Sequence, residues 1–473
     1  MLLTILKSLL VIFVTTILRV LYDTISCYWL TPRRIKKIME QQGVTGPKPR
    51  PLTGNILEIS AMVSQSASKD CDSIHHDIVG RLLPHYVAWS KQYGKRFIVW
   101  NGTDPRLCLT ETELIKELLM KHNGGYARHM VECTSKLVER LRKEVGEGAN
   151  EVEIGEEMHK LTADIISRTK FGSSFEKGKE LFNHLTVLQR RCAQATRHLC
   201  FPGSRFLPSK YNREIKSLKK EVERLLIEII QSRRDCAEMG RSSTHGDDLL
   251  GLLLNEMDID KNNNNNNNNL QLIMDECKTF FFAGHETTAL LLTWTTMLLA
   301  DNPTWQEKVR EEVREVFGRN GLPSVDQLSK LTSLSKVINE SLRLYPPATL
   351  LPRMAFEDLK LGDLTIPKGL SIWIPVLAIH HSEELWGKDA NQFNPERFGG
   401  RPFASGRHFI PFAAGPRNCI GQQFALMEAK IILATLISKF NFTISKNYRH
   451  APIVVLTIKP KYGVQVILKP LVS

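Results

Sequence analysis

The chain has no C-x-x-C pair: its nine cysteines fall at irregular intervals along 473 residues. That excludes a disulfide framework and a zinc ribbon, and a reducing, cytosolic setting is the simpler reading. No break in composition divides the chain after about residue 50, so one large domain over 56–473 is predicted although the length would accommodate about three. A hydrophobic content of 42% is ample for its core. The net charge is +13, yet no cluster of basic and aromatic residues accompanies it. Lys and Arg are spread along amphipathic helices, which argues against nucleic acid and for a basic face toward anionic lipid or an acidic partner. His285-Glu286 has no second histidine at the metalloprotease offset, which excludes that zinc site.

The N-terminus is rich in what the rest spaces out. Leu2 to Tyr22 are mostly Leu, Ile, Val and Phe, interrupted by Lys7 and Arg19, whose long stems can snorkel. At about 20 residues the run just crosses a bilayer core. No small-residue cleavage site follows it, which disfavours a signal peptide. Arg33-Arg34-Ile35-Lys36-Lys37 comes next and assigns the downstream side to the cytosol. Residues 1–25 are therefore predicted to be a single transmembrane anchor, and 26–55, with Gly46-Pro47-Lys48-Pro49-Arg50-Pro51, a basic and proline-rich hinge.

Helical spacing dominates the remainder of the chain. Lys95 to Trp100 and Leu107 to Leu109, with Asn101-Gly102 between them, predict a small β-hairpin. Leu137, Val138, Leu141 and Val145 form one apolar stripe, and Ile215, Leu218, Val222, Leu225, Leu226 and Ile229 another. The asparagine run Asn262 to Asn269 buries nothing and predicts a disordered loop over 258–269. Asp301-Asn302-Pro303 starts another helix, with proline in its first turn. Ile366-Pro367-Lys368-Gly369 marks a turn in a minor β region.

Three strings carry chemistry. In Phe412-Ala-Ala-Gly415-Pro-Arg417-Asn-Cys419-Ile-Gly421, one cysteine is framed by two glycines, with an aromatic residue and an arginine at fixed offsets. Glycines let a backbone approach a flat cofactor and adopt turn geometries closed to other residues. An arginine two residues before the sulfur adds positive charge that favours the thiolate. The string reads as a haem-thiolate loop. Upstream, Phe280 to Leu299 is almost unbroken apolar sequence, as in a helix buried on several sides. Ala283 and Gly284 remove bulk in mid-helix, at a cost of ~1 kcal/mol for glycine unless close approach offsets it, so something flat is predicted to pack there. Glu286 and Thr287 set an acid and an alcohol beside that gap, a pair suited to proton relay. In Glu340-Ser-Leu-Arg343, followed by Tyr345-Pro346-Pro347, the two charges share a helix face and the prolines end the helix.

Together these strings resemble the F-x-x-G-x-R-x-C-x-G, A-G-x-[DE]-T and E-x-x-R motifs of the cytochromes P450, in the order that family has them. The resemblance implies a mainly α fold with minor β, haem b held by Cys419, and proton delivery by Glu286 and Thr287. It also implies cofactor contacts from Phe412, Gly415, Arg417, Gly421, Ala283 and Gly284. Phe393-Asn394-Pro395-Glu396-Arg397-Phe398 resembles the family's P-E-R-F segment, so Arg397 would join Glu340 and Arg343 in a structural network. Arg353 matches a position where the family sets a basic residue against a haem propionate. The implied partners are O2, a small-molecule substrate, the endoplasmic reticulum membrane and an NADPH-cytochrome P450 reductase that supplies NADPH-derived electrons.

One departure stands out. The family carries a substrate loop and a W-x-x-x-R helix before the helix that here begins near Met130, yet Leu118-Leu119-Met120 reaches Tyr126-Ala127-Arg128 within a few residues. An internal deletion near 121–128 is the reading. The rest is similar to plant microsomal P450s, and Phe201-Pro-Gly-Ser-Arg205-Phe-Leu-Pro208 with Phe280 to Thr288 is similar to the cytokinin hydroxylases, which oxidise the isopentenyl side chain of adenine-type cytokinins to trans-zeatin forms. Another terpenoid or hormone substrate, or a haem protein impaired by the missing segment, are the alternatives.

Overall fold

The structure is a computed structural model and describes residues 30–471, apart from 42, 51–52, 68–77, 95, 102–103, 110–126, 149, 172–174, 199–208, 239–249, 251–253, 255–265, 319–324, 400–407 and 416. Short helices α1 (Thr31–Gln41), α2 (Ile56–Ala67), α3 (Val79–Leu82) and α4 (Pro84–Tyr93) lead into strands β1 (Arg96–Asn101) and β2 (Asp104–Leu109). Helices α5 (Ala127–Gly146), α6 (Ile154–Phe171), α7 (Phe175–His198), α8 (Lys210–Glu238), α9 (Asn266–Asp301), α10 (Pro303–Phe317) and α11 (Thr332–Leu344) follow, with β3 (Glu151–Glu153) before α6. Strands β4 (Leu351–Met354), β5 (Leu359–Leu361), β6 (Leu364–Ile366) and β7 (Ser371–Ile374) precede α12 (Val376–His380) and α13 (Glu383–Trp386). The chain closes with α14 (Gln422–Lys439), β8 (Phe440–Ile444), β9 (Pro452–Val455), β10 (Thr457–Pro460) and β11 (Gln465–Pro470). Helix dominates and sheet is minor, as predicted.

The predicted hairpin is present: β1 and β2 pair antiparallel with Asn101 opposite Asp104. They extend into a four-stranded sheet of order β1-β2-β7-β4, in which β2 and β7 run parallel. A three-stranded sheet, β3-β11-β8, and two hairpins, β5-β6 and β9-β10, complete the β structure.

The core is built around α9. From Thr288 to Ala300 every residue of this helix is buried, so it is apolar all round and has no solvent face. Two of its buried threonines are satisfied locally, Thr293 and Thr295 each donating to the carbonyl four residues back at 2.7 Å, whereas Thr296 Oγ1 is buried without a hydrogen-bond partner. Trp294, fully buried, donates Nε1–H to the Ile458 carbonyl at 3.2 Å and stacks on Tyr345 at 4.4 Å. Pro303 opens α10, as predicted.

The structure adds detail to two segments singled out by composition. The hinge read over 26–55 is docked over its described part: Ile35 and Met39 of α1 are buried with Trp100, Leu364 and Ile366, because they lie four apart on one face of an otherwise charged helix. Past it, Ile98 donates its amide to the Thr45 carbonyl at 2.9 Å, and a Cβ at Gly46 would collide with the Ile98 carbonyl oxygen. The end of the asparagine run, Asn266–Asn269, is the first turn of α9 rather than loop, while 258–265 lie outside the described residues. So does the predicted anchor at 1–25; among the described residues no helix is long and apolar enough to cross a membrane.

Candidate active site

Cys419 sits in the turn that feeds α14, whose N-cap is Gly421. Three backbone bonds shape the turn: Ala413 N–H to the Ile410 carbonyl at 3.1 Å, Asn418 N–H to Gly415 at 2.9 Å and Cys419 N–H to Phe412 at 2.9 Å. Gly415 has φ +92°, the left-handed region that glycine adopts without strain, whereas Ala413 is held at φ +58°. Gly421 is at φ −86°, which any residue adopts, and a Cβ there would make only ordinary contact with Cys419 Sγ at 3.8 Å. Its lack of a side chain keeps the space beside the sulfur open. Phe412 packs its ring against the main core.

The Cys419 residue is exposed. Desolvation by its surroundings pushes the thiol up, and the Gly421 amide pulls it partly back. Arg417, two residues before the sulfur, bears on a second arginine. It repels Arg353: burial first, and then the Arg417 charge, lower the Arg353 guanidinium. Arg353 Nε is buried with no hydrogen-bond partner, and its Nη1 donates to the Pro352 carbonyl at 2.8 Å. Among the described residues no carboxylate pairs with either arginine.

Glu340, Arg343 and Arg397 meet in one network. Glu340 and Arg343 are both 0% exposed. Arg343 donates Nε–H and Nη2–H to the two Glu340 oxygens, each at 2.7 Å, and its remaining N–H groups to the carbonyls of His380, Ala390 and Gln392 at 2.9, 2.6 and 3.2 Å. All five donors of the fork are used. Arg397 reaches Glu340 Oε1 at 3.3 Å and Asp389 at 2.5 Å. Asn394 N–H donates to Glu340 Oε1 at 2.9 Å.

On α9, Ala283 is exposed and Thr287, four residues on, is partly open, so both belong to one uncovered face. Thr287 Oγ1 donates to the Ala283 carbonyl at 2.8 Å. Gly284 differs from its expected role: a Cβ there would stand 2.5 Å from Ile166 Cδ1, so its missing side chain lets α6 approach α9. Glu286, next to Thr287 in the chain, finds its partners on other elements. It is 2% exposed. It accepts from Thr457 Oγ1 at 3.0 Å, pairs with Lys459 Nζ and faces His159 Nε2 at 3.3 Å. Burial alone would raise its carboxyl, but the His159 hydrogen bond and the charges of Lys459 and His159 hold it well below the usual range. No spacing in the sequence announced His159, Thr457 or Lys459.

The Cytochrome P450 sequence profile matches residues 125–466. The chain belongs to the cytochrome P450 family. It is 91% identical over 518 aligned positions to a cytokinin hydroxylase of Arabidopsis thaliana, covering 100% of both chains. A second cytokinin hydroxylase of that plant is 72% identical, with 99% of each chain covered, and cytochrome P450 709B1 of the same species is 37% identical over 93% of this chain and 94% of its own. The first alignment sets 518 positions against 473 residues, which leaves 45 positions of the relative without a counterpart in this P450.

The family's cofactor is haem b, and the residues present fit it. Cys419 is the thiol with open space beside its sulfur. Among the described residues no side-chain base stands beside it to ionise it, so a bound cation is what would stabilise its thiolate. Arg353 and Arg417 are two mutually repelling cations, one with a buried unpaired N–H, and the carboxylates of a propionate-bearing ligand would satisfy both.

Proposed function

We propose that this P450 hydroxylates the isopentenyl side chain of adenine-type cytokinins, taking isopentenyladenine nucleotides to trans-zeatin forms with O2 and electrons passed from NADPH by the flavoprotein reductase. The observation that carries this reading is the 91% identity, end to end, with a plant cytokinin hydroxylase. Haem, when bound, supplies the oxygen-activating chemistry, and a thiolate ligand favours O–O cleavage. The chain's own residues do the rest. Cys419 ligates, Arg353 and Arg417 bind the propionates, and Phe412, Gly415, Gly421 and Ala283 shape the space around the cofactor. Thr287, on the open face, would offer its hydroxyl toward the cofactor's substrate side, and Glu286 would be the group that holds and passes on a proton. The Leu2 to Tyr22 run anchors the chain in the endoplasmic reticulum membrane with the domain in the cytosol, which the basic run after it favours.

A second observation bears on competence. The 45 unmatched positions are best assigned to the junction at 121–128, since the family profile begins at 125 and no W-x-x-x-R lies between Leu118 and Arg128. Loss of that helix removes propionate contacts and one wall of the substrate pocket, so this form retains haem weakly and turns over slowly. A reduced carbon monoxide difference spectrum of the expressed chain tests the ligand assignment, with conversion of isopentenyladenosine monophosphate by the chain plus reductase as the second measurement. A thiolate-type absorbance maximum that disappears in Cys419→Ser is expected. A maximum that survives in Cys419→Ser would overturn the ligand assignment, and hydroxylation of other substrates alone would overturn the cytokinin reading.

A further inference from the structure

Glu286 is the acid assigned to the proton step, and it is buried. The groups that reach it come from two other elements. Strand β10 brings Thr457 and Lys459, two residues apart and therefore on one face of the strand. Helix α6 brings His159, whose side chain is 34% exposed, against 25% for Lys459 and 2% for Glu286.

The His159 ring is held at both nitrogens. Nδ1 lies 2.8 Å from the Gly155 carbonyl and Nε2 lies 3.3 Å from Glu286 Oε2. Both neighbours are acceptors. A neutral imidazole carries one N–H and would set a bare lone pair against one of these oxygens; the ring protonated on both nitrogens donates to both. Other charged or titratable groups among the described residues lie near the pair. His285 lies with its ring 6.4 Å from that of His159, edge to face, and burial lowers it to about 4 while its Nδ1–H serves the Phe281 carbonyl at 2.7 Å. On α6, Lys160 pairs with Glu156 and Glu157, and Arg140 takes the other side of Glu157.

We propose that His159 is a positioning residue for proton delivery in this P450: the solvent-facing group through which the buried Glu286 exchanges protons. The step balances within the cluster. The proton on His159 Nε2 passes to Glu286 Oε2, and the proton on Nδ1 stays with the Gly155 carbonyl. The neutral ring left behind is thus the tautomer its surroundings already satisfy. Water on the exposed side reprotonates Nε2. Lys459, the other exposed member, is unsuited to this role, because among the described residues its ammonium has a single ionic partner and no second acceptor that would hold a relayed proton, whereas the His159 ring faces an acceptor at each nitrogen. Lys459 and Thr457 keep the carboxylate in place while His159 cycles.

The proposal rests on the P450 reading, so its test has two arms. In the purified chain with 15N-labelled histidine, nitrogen chemical shifts read the protonation of each ring nitrogen whether or not haem is retained. With an acceptor facing each ring nitrogen, both nitrogens of His159 are expected to carry protons, with Nε2 losing its own in Glu286→Gln. A bare Nε2 in the unsubstituted chain would overturn the proposal. In haem-loaded chain with reductase, His159→Gln is expected to lower product formed per NADPH by about tenfold and to flatten its dependence on pH. Lys459→Met should keep the shape of the pH profile, and His159→Gln combined with Glu286→Gln should be no worse than Glu286→Gln alone. Unchanged coupling and pH profile in His159→Gln would equally overturn it. Absence of a thiolate-type carbon monoxide spectrum would count against the P450 assignment of this form, and the nitrogen shifts would then decide on the His159–Glu286 pair.

Discussion

The imidazole of His380 accepts a hydrogen bond from the backbone amide of Ile410 at 3.0 Å, while the His380 carbonyl accepts from Arg343 Nη1 at 2.9 Å. One fully buried residue therefore ties the Glu340–Arg343 network to the stretch that carries Phe412 and Cys419. Because Nε2 is the acceptor, the ring is neutral with its proton on Nδ1, and burial, with the Arg343 charge, holds it well below the usual histidine range. His380→Leu leaves the Ile410 amide buried and unpaired, at a cost of about 1–3 kcal/mol. Denaturant unfolding monitored by Trp fluorescence measures that loss, and faster alkylation of Cys419 by a thiol reagent reports the loosened turn. An unchanged alkylation rate would show that the turn holds without His380.

Gly284 offers a test of packing against Ile166. A Cβ at 2.5 Å from Cδ1 and 2.9 Å from Cγ1 cannot be accommodated without moving the side chain or the helix. Gly284→Ala should therefore destabilise the fold by about 1–3 kcal/mol, despite alanine's better helix propensity. Adding Ile166→Val removes Cδ1 and should recover about half of the loss. A double substitution no more stable than the single one would mean that α6 and α9 separate instead of repacking.

What the sequence reveals and what it hides divide by distance along the chain. The Cys419 turn and the Glu340–Arg343 pair are written within a few residues, so their spacing fixes their geometry before any tertiary contact forms. Glu286 is legible as an acid beside Thr287, but its partners lie 127 and 171 residues away, at His159 and Thr457. Nothing local encodes those contacts. Gly284 is an intermediate case: the need for a small residue is local, whereas the identity of what packs there is not, and the neighbour is a helix rather than a cofactor. In the segment read as a hinge, Ile35 and Met39 stand four apart among charges, a helical stripe that the basic and proline residues concealed.

Two buried groups set the acid limb of stability. His285 is neutral in the fold and lowered to about 4 by burial from an ordinary 6.5. Below 6.5 the unfolded chain takes up a proton that the folded chain does not, so stability is full above that pH and falls toward pH 4, by up to about 3 kcal/mol. Glu286 has the opposite chemistry and the same sign. Its folded value is depressed, so its contribution is present above about 4.5 and is lost as the pH falls further. His285→Asn should flatten the pH dependence of the unfolding midpoint between 6.5 and 4, and Glu286→Gln should flatten it only below 4.5. Urea titrations at half-unit pH intervals separate the two windows.

Arg353 and Arg417 distinguish a ligand-binding role from a structural one by the sign of a single substitution. In haem-free chain, Arg353 loses stability to its buried, unpaired Nε–H and to repulsion by Arg417. Arg353→Leu removes both terms, so it should leave the haem-free chain as stable as before or more stable by up to about 1 kcal/mol. In the loaded chain the same substitution removes a charge-assisted bond to a propionate, which contributes about 1.5–3 kcal/mol. Haem should then dissociate roughly ten- to a hundredfold more readily, as measured by transfer to apomyoglobin. A purely structural arginine would behave in the reverse way, lowering stability in both states and leaving the transfer rate alone. Arg353→Lys keeps the charge but not the planar fork, and should fall between the two in haem retention.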